Sequence, residues 1–191
     1  RKIQMVDLYS QYVKIKPEID QAIQEVIDST AFIKGPVVKF FQKDLEEYLG
    51  VKHVIPCGNG TDALQISMMA LGLKPDDEVI TADFTFVATA EVIALLGLTP
   101  VLVDVDPDYF NIIPEAIEKA LTPHTKAIVP VHLFGQCADM DAIMEIARRH
   151  HLYVIEDACQ AIGSEYHSTD GSIKKAGTIG NIGCTSFFPS K

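Results

Sequence analysis

The sequence predicts an α/β domain of three layers, a mostly parallel sheet with helices packed on both faces. Three observations carry that expectation. From His53 onward, short β-branched and apolar runs alternate with stretches whose apolar residues recur at helical spacing. The strand runs are apolar on both faces, the pattern of a sheet covered from two sides. With 191 residues, 48% of them hydrophobic, the chain can bury one such core, whereas two independent domains would be cramped.

Taken in order, an extended piece over Ile3, Gln4, Met5, Val6, Asp7 and Leu8 opens the chain, and Ile15, Ile19, Ala22, Ile23, Val26 and Ile27 then share one helical face. The pair Gly35-Pro36 interrupts this pattern, and Val38, Phe41, Leu45 and Leu49 set a second helix that Gly50 closes. Residues 1–34 are thus read as an N-terminal segment with its helix, and residues 35–191 as a larger domain. Strands are expected over 53–57, 78–82, 101–105, 127–131, 153–157 and 184–188. Helices are expected between them, over 63–71, 87–96, 114–121 and 140–150. Pro114 suits a first helical position, Asp139 or Asp141 suits an N-cap, and His150 and His151 suit a C-terminal cap. In such sheets ligands bind beyond the carboxyl ends of the strands. That rule places Gly58, Asp83, His132 and Asp157 on one rim.

The 26 acidic residues outnumber 16 basic ones for a net charge of −10, and there is no long basic run, which argues against nucleic acid and anionic membrane surfaces as partners. A phosphorylated ligand would have to be held locally, by backbone amides and hydroxyls. Cys57, Cys137, Cys159 and Cys184 form no CxxC pair and sit in or beside apolar runs, so reduced thiols in a cytoplasmic protein are expected, with no metal site. No apolar stretch approaches the ~20 residues of a membrane span, and Arg1-Lys2-Ile3-Gln4 lacks the apolar core of a signal peptide. The chain has no initiator methionine and stops on Lys191; it is expected to be part of a longer polypeptide.

Two stretches carry most of the chemistry. Gly183 to Lys191 ends in a lysine behind hydroxyls and aromatics, and Glu156-Asp157-Ala158-Cys159-Gln160 puts a carboxylate at the tip of an apolar run. A neutral lysine forms a Schiff base with an aldehyde, and a buried carboxylate keeps a pyridine nitrogen protonated, the two protein groups that pyridoxal phosphate chemistry requires. Taken singly, each also fits a plainer role, an exposed loop lysine or a strand-end acid. Gly58-Asn59-Gly60-Thr61-Asp62 precedes a helix, whose free amides with a threonine hydroxyl would seat a phosphate. It is neither a P-loop nor a dinucleotide fingerprint, and a plain turn capped by Thr61 or Asp62 fits it too. Asp83-Phe84-Thr85-Phe86 offers two aromatic faces, of which Phe84 or Phe86 would stack on a planar ring. His132 is open to three readings, a general base, a substrate contact or a satisfied polar residue, and a supporting contact is favoured.

As an ordered set, Phe32-Ile33-Lys34-Gly35-Pro36, Gly58-Asn59-Gly60-Thr61-Asp62-Ala63-Leu64, Asp77-Glu78-Val79-Ile80-Thr81, Phe84-Thr85-Phe86-Val87-Ala88-Thr89, Glu156-Asp157-Ala158-Cys159-Gln160 and Thr185-Ser186-Phe187-Phe188-Pro189-Ser190-Lys191 resemble the DegT/DnrJ/EryC1/StrS sugar aminotransferases, enzymes of the fold type I class that use pyridoxal phosphate. The resemblance implies that Lys191 carries the Schiff base, that Asp157 pairs with the pyridine nitrogen and that Gln160 lies near the ring hydroxyl. It further implies that Gly60, Thr61, Asp62 and Ser186 hold the phosphate and that Phe86 stacks on the ring; Phe32, Lys34 and His132 are expected as substrate contacts. Asn59 stands where serine is commoner and Cys159 where alanine is frequent. Members of this family continue past the lysine into a small C-terminal domain and complete each site from a second subunit, so the chain resembles the N-terminal portion of a homodimeric enzyme.

The activity implied is transfer of an amino group, from glutamate, to a keto group of a nucleotide-linked sugar. The stretches around Cys57 to Ile66 and Phe134 to Asp139 most resemble the subgroup acting on UDP-linked 2-acetamido-3-oxo-glucuronic acid, with dTDP-linked 3-oxo or 4-oxo deoxyhexoses as the alternative. A dehydratase relative lacks the lysine present here. A regulatory protein on the same scaffold and a nucleotide-binding module without the cofactor are the other readings.

Overall fold

The computed structural model describes Ile3 and residues 5–191. Gln4 of the expected extended opening, and Arg1 and Lys2 ahead of it, lie outside the described residues. The chain forms two compact units, one of Arg1–Pro56 with Phe188–Lys191 and one of Cys57–Phe187. Gly35, where the sequence suggests the larger domain begins, falls within the first.

The first unit holds α1 (Leu8–Ser29) and α2 (Pro36–Leu49). Asp7 caps α1 by accepting the Ser10 N–H at 2.9 Å, and Thr30, left-handed at φ 53°, ends it. Gly35 precedes Pro36 at the first helical position of α2, where a missing N–H leaves nothing unpaired. The strand expected over 53–57 does not form. The Val54 N–H donates to Glu46 Oε1 at 3.0 Å and its carbonyl accepts from Gln42 Nε2 at 2.7 Å, so side chains of α2 take the groups a ladder would have used.

The second unit is built on a sheet of β1 (Glu78–Ala82), β2 (Thr99–Val103), β3 (Thr125–Val129), β4 (Tyr153–Asp157) and β7 (Ile182–Cys184). These lie in the order β2-β1-β3-β4-β7 and every pairing is parallel. Around them run α3 (Gly60–Ala70), α4 (Ala88–Leu95), α5 (Pro114–Ala120) and α6 (Met140–His150). Successive strand residues point to opposite faces, and the core divides accordingly. Val79, Ala127, Val129 and Ile155 pack with Leu64 and Met68 of α3 and Val92 and Ile93 of α4. Their neighbours Ile80, Ile128 and Val154 pack instead with Ile117 of α5 and Met140, Ile143 and Ile146 of α6. Both faces are therefore covered, as consecutive apolar residues in the strands require.

Some boundaries shift for identifiable reasons. Pro130 has no N–H to extend β3, and beyond it only an isolated bridge joins Val131 to Asp157. β7 starts upstream of the expected 184–188 because Gly183 lets the loop at Gly177 come close; a Cβ there would lie 1.9 Å from the Gly177 carbonyl oxygen. Asp139 proves to be the cap of α6, accepting the Ala142 N–H at 3.2 Å, and His151 ends that helix in a left-handed conformation. An antiparallel pair, β5 (Glu165–His167) with β6 (Ile173–Lys175), was not anticipated. Its signal was the Asp170-Gly171 dipeptide, with Gly171 at φ 84°. No helix among the described residues is long and apolar enough to cross a membrane.

Candidate active site

Where β4 ends, the alternation of the strand separates two adjacent acids. Glu156 follows Val154 toward α5 and α6, and Asp157 follows Ile155 toward α3 and α4. Both are nearly closed to solvent, at 0% and 6% exposure, so each must find donors inside the protein.

Asp157 finds two. The Thr89 hydroxyl of α4 donates to Oδ2 at 2.7 Å, and the Cys159 N–H donates to Oδ1 at 3.2 Å. An ionised carboxylate has about four acceptor positions, which leaves two for a cationic partner. The strand register sets Asp157 opposite Cys184, so the segment leaving β7 toward Ser186 starts beside the carboxylate.

Glu156 has four donors, the amides of Gly177 at 2.8 Å and of Ile179 and Gly180 at 2.6 Å each, and His132 Nε2 at 2.9 Å. The other ring nitrogen of His132, Nδ1, accepts the Ala138 N–H at 3.1 Å. That bond fixes the tautomer, with the hydrogen on Nε2 pointing at Glu156. Burial pushes the Glu156 carboxyl upward, but the bonds from His132 and from Gly180 and Gly177 outweigh it and hold it below its usual range. His132, expected among substrate contacts, is fully buried with both nitrogens engaged. Its geometry is that of the satisfied polar residue, clamping the loop at 177–180 to the strand ends.

The turn before α3 is capped by Asn59, whose Oδ1 accepts the Asp62 N–H at 2.9 Å while its carbonyl accepts from Ala63. The N–H groups of Gly60 and Thr61 have no partner among the described residues and point from the positive end of an eleven-residue helix. Asp62 contributes neither a free amide nor a donor side chain, since its carboxylate accepts Asn59 Nδ2 at 3.1 Å. Any phosphate role for it is limited to shaping the turn. Gly60 packs so closely that an added Cβ would lie 2.7 Å from Cys159 Sγ and 3.0 Å from Ser186 Cβ, which brings Ser186 to the same helix end.

Of the two aromatics after β1, Phe84 meets Phe110 at 5.6 Å with the rings tilted by 38°, and Phe110 is itself 6.2 Å from Phe134. Phe86 is 63% exposed. Gln160 Oε1 accepts the Phe134 N–H at 2.9 Å, which leaves its amide nitrogen as a donor. Lys191, Phe32 and Lys34 belong to the first unit. Phe32 is 63% exposed, Lys34 is exposed at φ 52°, and Lys191 is exposed with its N–H on the Phe188 carbonyl at 2.9 Å.

Burial raises Cys184 to about 12 and Cys137 to about 11, which makes both poor nucleophiles. Within the second unit, then, the residues suited to a phosphorylated, planar, cationic group are two unpaired helix amides with the Thr61 and Ser186 hydroxyls, a buried carboxylate with acceptor room, an exposed phenyl ring and an amide donor. That donor set fits pyridoxal phosphate, anionic at one end and able to carry a proton on its ring nitrogen. Thr89 and Glu156 were not singled out as functional from sequence. Two adjacent acids closing an apolar strand were a readable signal for Glu156, whereas Thr89 gave none.

Over residues 13–191 the chain matches the DegT/DnrJ/EryC1/StrS aminotransferase family. It is 50% identical over 99% of its length to the UDP-2-acetamido-2-deoxy-3-oxo-D-glucuronate aminotransferase of Pseudomonas aeruginosa, covering 51% of that protein. It is 51% identical over 99% of its length to a pleiotropic regulatory protein of Geobacillus stearothermophilus, covering 50% of it. The crystal structure of DesV from S. venezuelae, in complex with a ketimine intermediate, superposes with a TM-score of 0.93 at 37% identity, over 98% of this chain and 49% of that one. The chain spans about half the length of the curated relatives it matches. With a parallel sheet, a capped helix end and a buried strand-end aspartate that agree with these likenesses, the chain belongs to the DegT/DnrJ/EryC1/StrS aminotransferase family.

Proposed function

We propose that the protein containing this chain is a pyridoxal-phosphate-dependent aminotransferase that moves an amino group from glutamate to a keto group of a nucleotide-linked sugar. The observation that carries this reading is Asp157, buried and aimed by two donors with acceptor positions to spare, on the same sheet face as the unpaired amides of Gly60 and Thr61. When bound, the cofactor supplies the electron sink that makes a carbon–hydrogen bond next to an amine acidic. The amides of Gly60 and Thr61 and the hydroxyls of Thr61 and Ser186 hold its phosphate, while Asp157 balances the charge on its ring nitrogen. Phe86 covers a ring face and Gln160 donates to a ring oxygen. Lys191 would be the amine that holds the cofactor, and as a free amine it would serve as the proton carrier at the substrate carbon. Phe32 and Lys34 are proposed substrate contacts.

Among substrates, UDP-linked 2-acetamido-3-oxo-glucuronic acid is favoured, and the 50% identity to the Pseudomonas aeruginosa enzyme supports it; dTDP-linked keto sugars are the alternative. Four free cysteines suit a reducing, cytoplasmic setting. The exposed apolar row Ile15, Ile19, Ile23 and Ile27 of α1, none of it buried, supports assembly with a second copy into a homodimer. The 51% identity to a pleiotropic regulatory protein favours a second reading, a regulatory role on the same scaffold. Turnover assays with glutamate and a panel of UDP-linked and dTDP-linked keto sugars separate these. Amination of the UDP-linked acid at the highest kcat/KM is expected, and failure on every sugar would favour the regulatory reading.

A further inference from the structure

Asp157 owes its orientation to a residue from another element. Thr89 lies in the first turn of α4, is fully buried, and donates its hydroxyl to Asp157 Oδ2 at 2.7 Å. Its own N–H reaches back to the Phe86 carbonyl at 3.4 Å, so one residue ties the aromatic after β1 to the acid at the end of β4. The geometry is specific to a β-hydroxyl. Oδ1 is held by an amide two residues along its own strand exit at 3.2 Å, a single long bond that resists turning about χ2 only weakly. The second bond, from a rigid helix on the facing layer, sets the plane.

We propose that Thr89 is a positioning residue for the reaction, fixing the plane of the Asp157 carboxylate so that its two remaining acceptor positions meet the ring nitrogen of bound pyridoxal phosphate. The inference rests on the cofactor reading above. Threonine is required in the sense that its hydroxyl donates here; valine has the same shape and donates nothing. A purely architectural Thr89 would lower stability on replacement by valine yet leave the protonation of a bound cofactor as it was.

The test is the ¹⁵N chemical shift of the ring nitrogen in protein reconstituted with ¹⁵N-labelled pyridoxal phosphate, compared for the parent, Thr89→Val, Thr89→Ser and Asp157→Asn at one pH. The shift in Thr89→Val is expected to move at least half of the way from the parent toward Asp157→Asn, and Thr89→Ser, which keeps the hydroxyl, is expected to return to the parent value. Should Thr89→Val not fold, as judged by circular dichroism before reconstitution, Thr89→Ala is read in its place. A parent-like shift in the variant lacking the hydroxyl overturns the inference, as does a Thr89→Ser shift that stays with the valine variant. Failure of the parent to bind the cofactor, or a parent shift already equal to that of Asp157→Asn, would instead refute the cofactor reading on which it stands.

Discussion

Replacing Glu156 by glutamine keeps the shape of the side chain and changes only what it can accept. In the parent, one carboxylate oxygen takes the His132 ring hydrogen and the Gly177 amide, and the other takes the amides of Ile179 and Gly180. A carboxamide has one accepting oxygen, so whichever way it is turned its NH₂ group faces two donors. His132 cannot absorb the change by switching tautomer, because moving the hydrogen to Nδ1 would set it against the Ala138 N–H. Two donors are stranded in a site with no exposure, at about 1–3 kcal/mol each. The expected loss is about 2–6 kcal/mol, a large part of the ~5–15 kcal/mol that holds a typical domain together. Urea titration at pH 7, followed by circular dichroism, reads this as a fall in midpoint at unchanged slope. A variant within about 0.5 kcal/mol of the parent would refute the reasoning, and would mean that the four bonds are replaced at little cost by water or by loop movement.

Other outcomes follow from the same geometry. Because the folded Glu156 carboxyl titrates below its ordinary value of 4.5, its contribution is fully present above that value and is lost as pH falls through the lower folded one; the gap between parent and Glu156→Gln in urea should narrow below about pH 4, and a gap that widens there would contradict the assigned sign. Asp157→Asn should fold and still take up cofactor, since the phosphate contacts remain, but lose most turnover; removing a charge-assisted bond costs about 1.5–3 kcal/mol before any chemistry, and normal turnover would reduce Asp157 to a strand-end acid. Gly60→Ala places a methyl 2.7 Å from Cys159 Sγ and 3.0 Å from Ser186 Cβ, so cofactor affinity should fall by about tenfold or more through displacement of the helix end from Ser186, measured by equilibrium dialysis against pyridoxal phosphate; unchanged affinity would exclude Gly60 from the phosphate seat.

The layered sheet was legible because its signal is local and repeated. Consecutive apolar residues such as Val79-Ile80 and Val154-Ile155 announced two covered faces, and each was found packed on a different helix layer. What failed was also physical. The run at 53–57 has strand composition, but pattern cannot show that Gln42 and Glu46, a helix away, bond its backbone. The carboxylate at Asp157 and the helix end at Gly60 were readable from strand-end and turn chemistry. Thr89 was not, because a threonine in the first turn of an apolar helix reads like any other until the fold brings it to an acid 68 positions along the chain. His132 shows the converse: a histidine at a strand end suggested contact with ligand, and only its burial and two engaged nitrogens assign it to the clamp on Glu156.

The proposed role of Lys191 is the point on which the functional account turns, and covalent trapping reads it directly. The protein is incubated with pyridoxal phosphate, reduced with borohydride so that any Schiff base becomes a stable amine, digested, and mapped by mass spectrometry. The account predicts that the pyridoxyl mass is found stoichiometrically on the peptide containing Lys191 and is absent from Lys191→Ala, while that variant retains its circular dichroism spectrum. Stoichiometric label on any other lysine, or none on a folded parent, would contradict it.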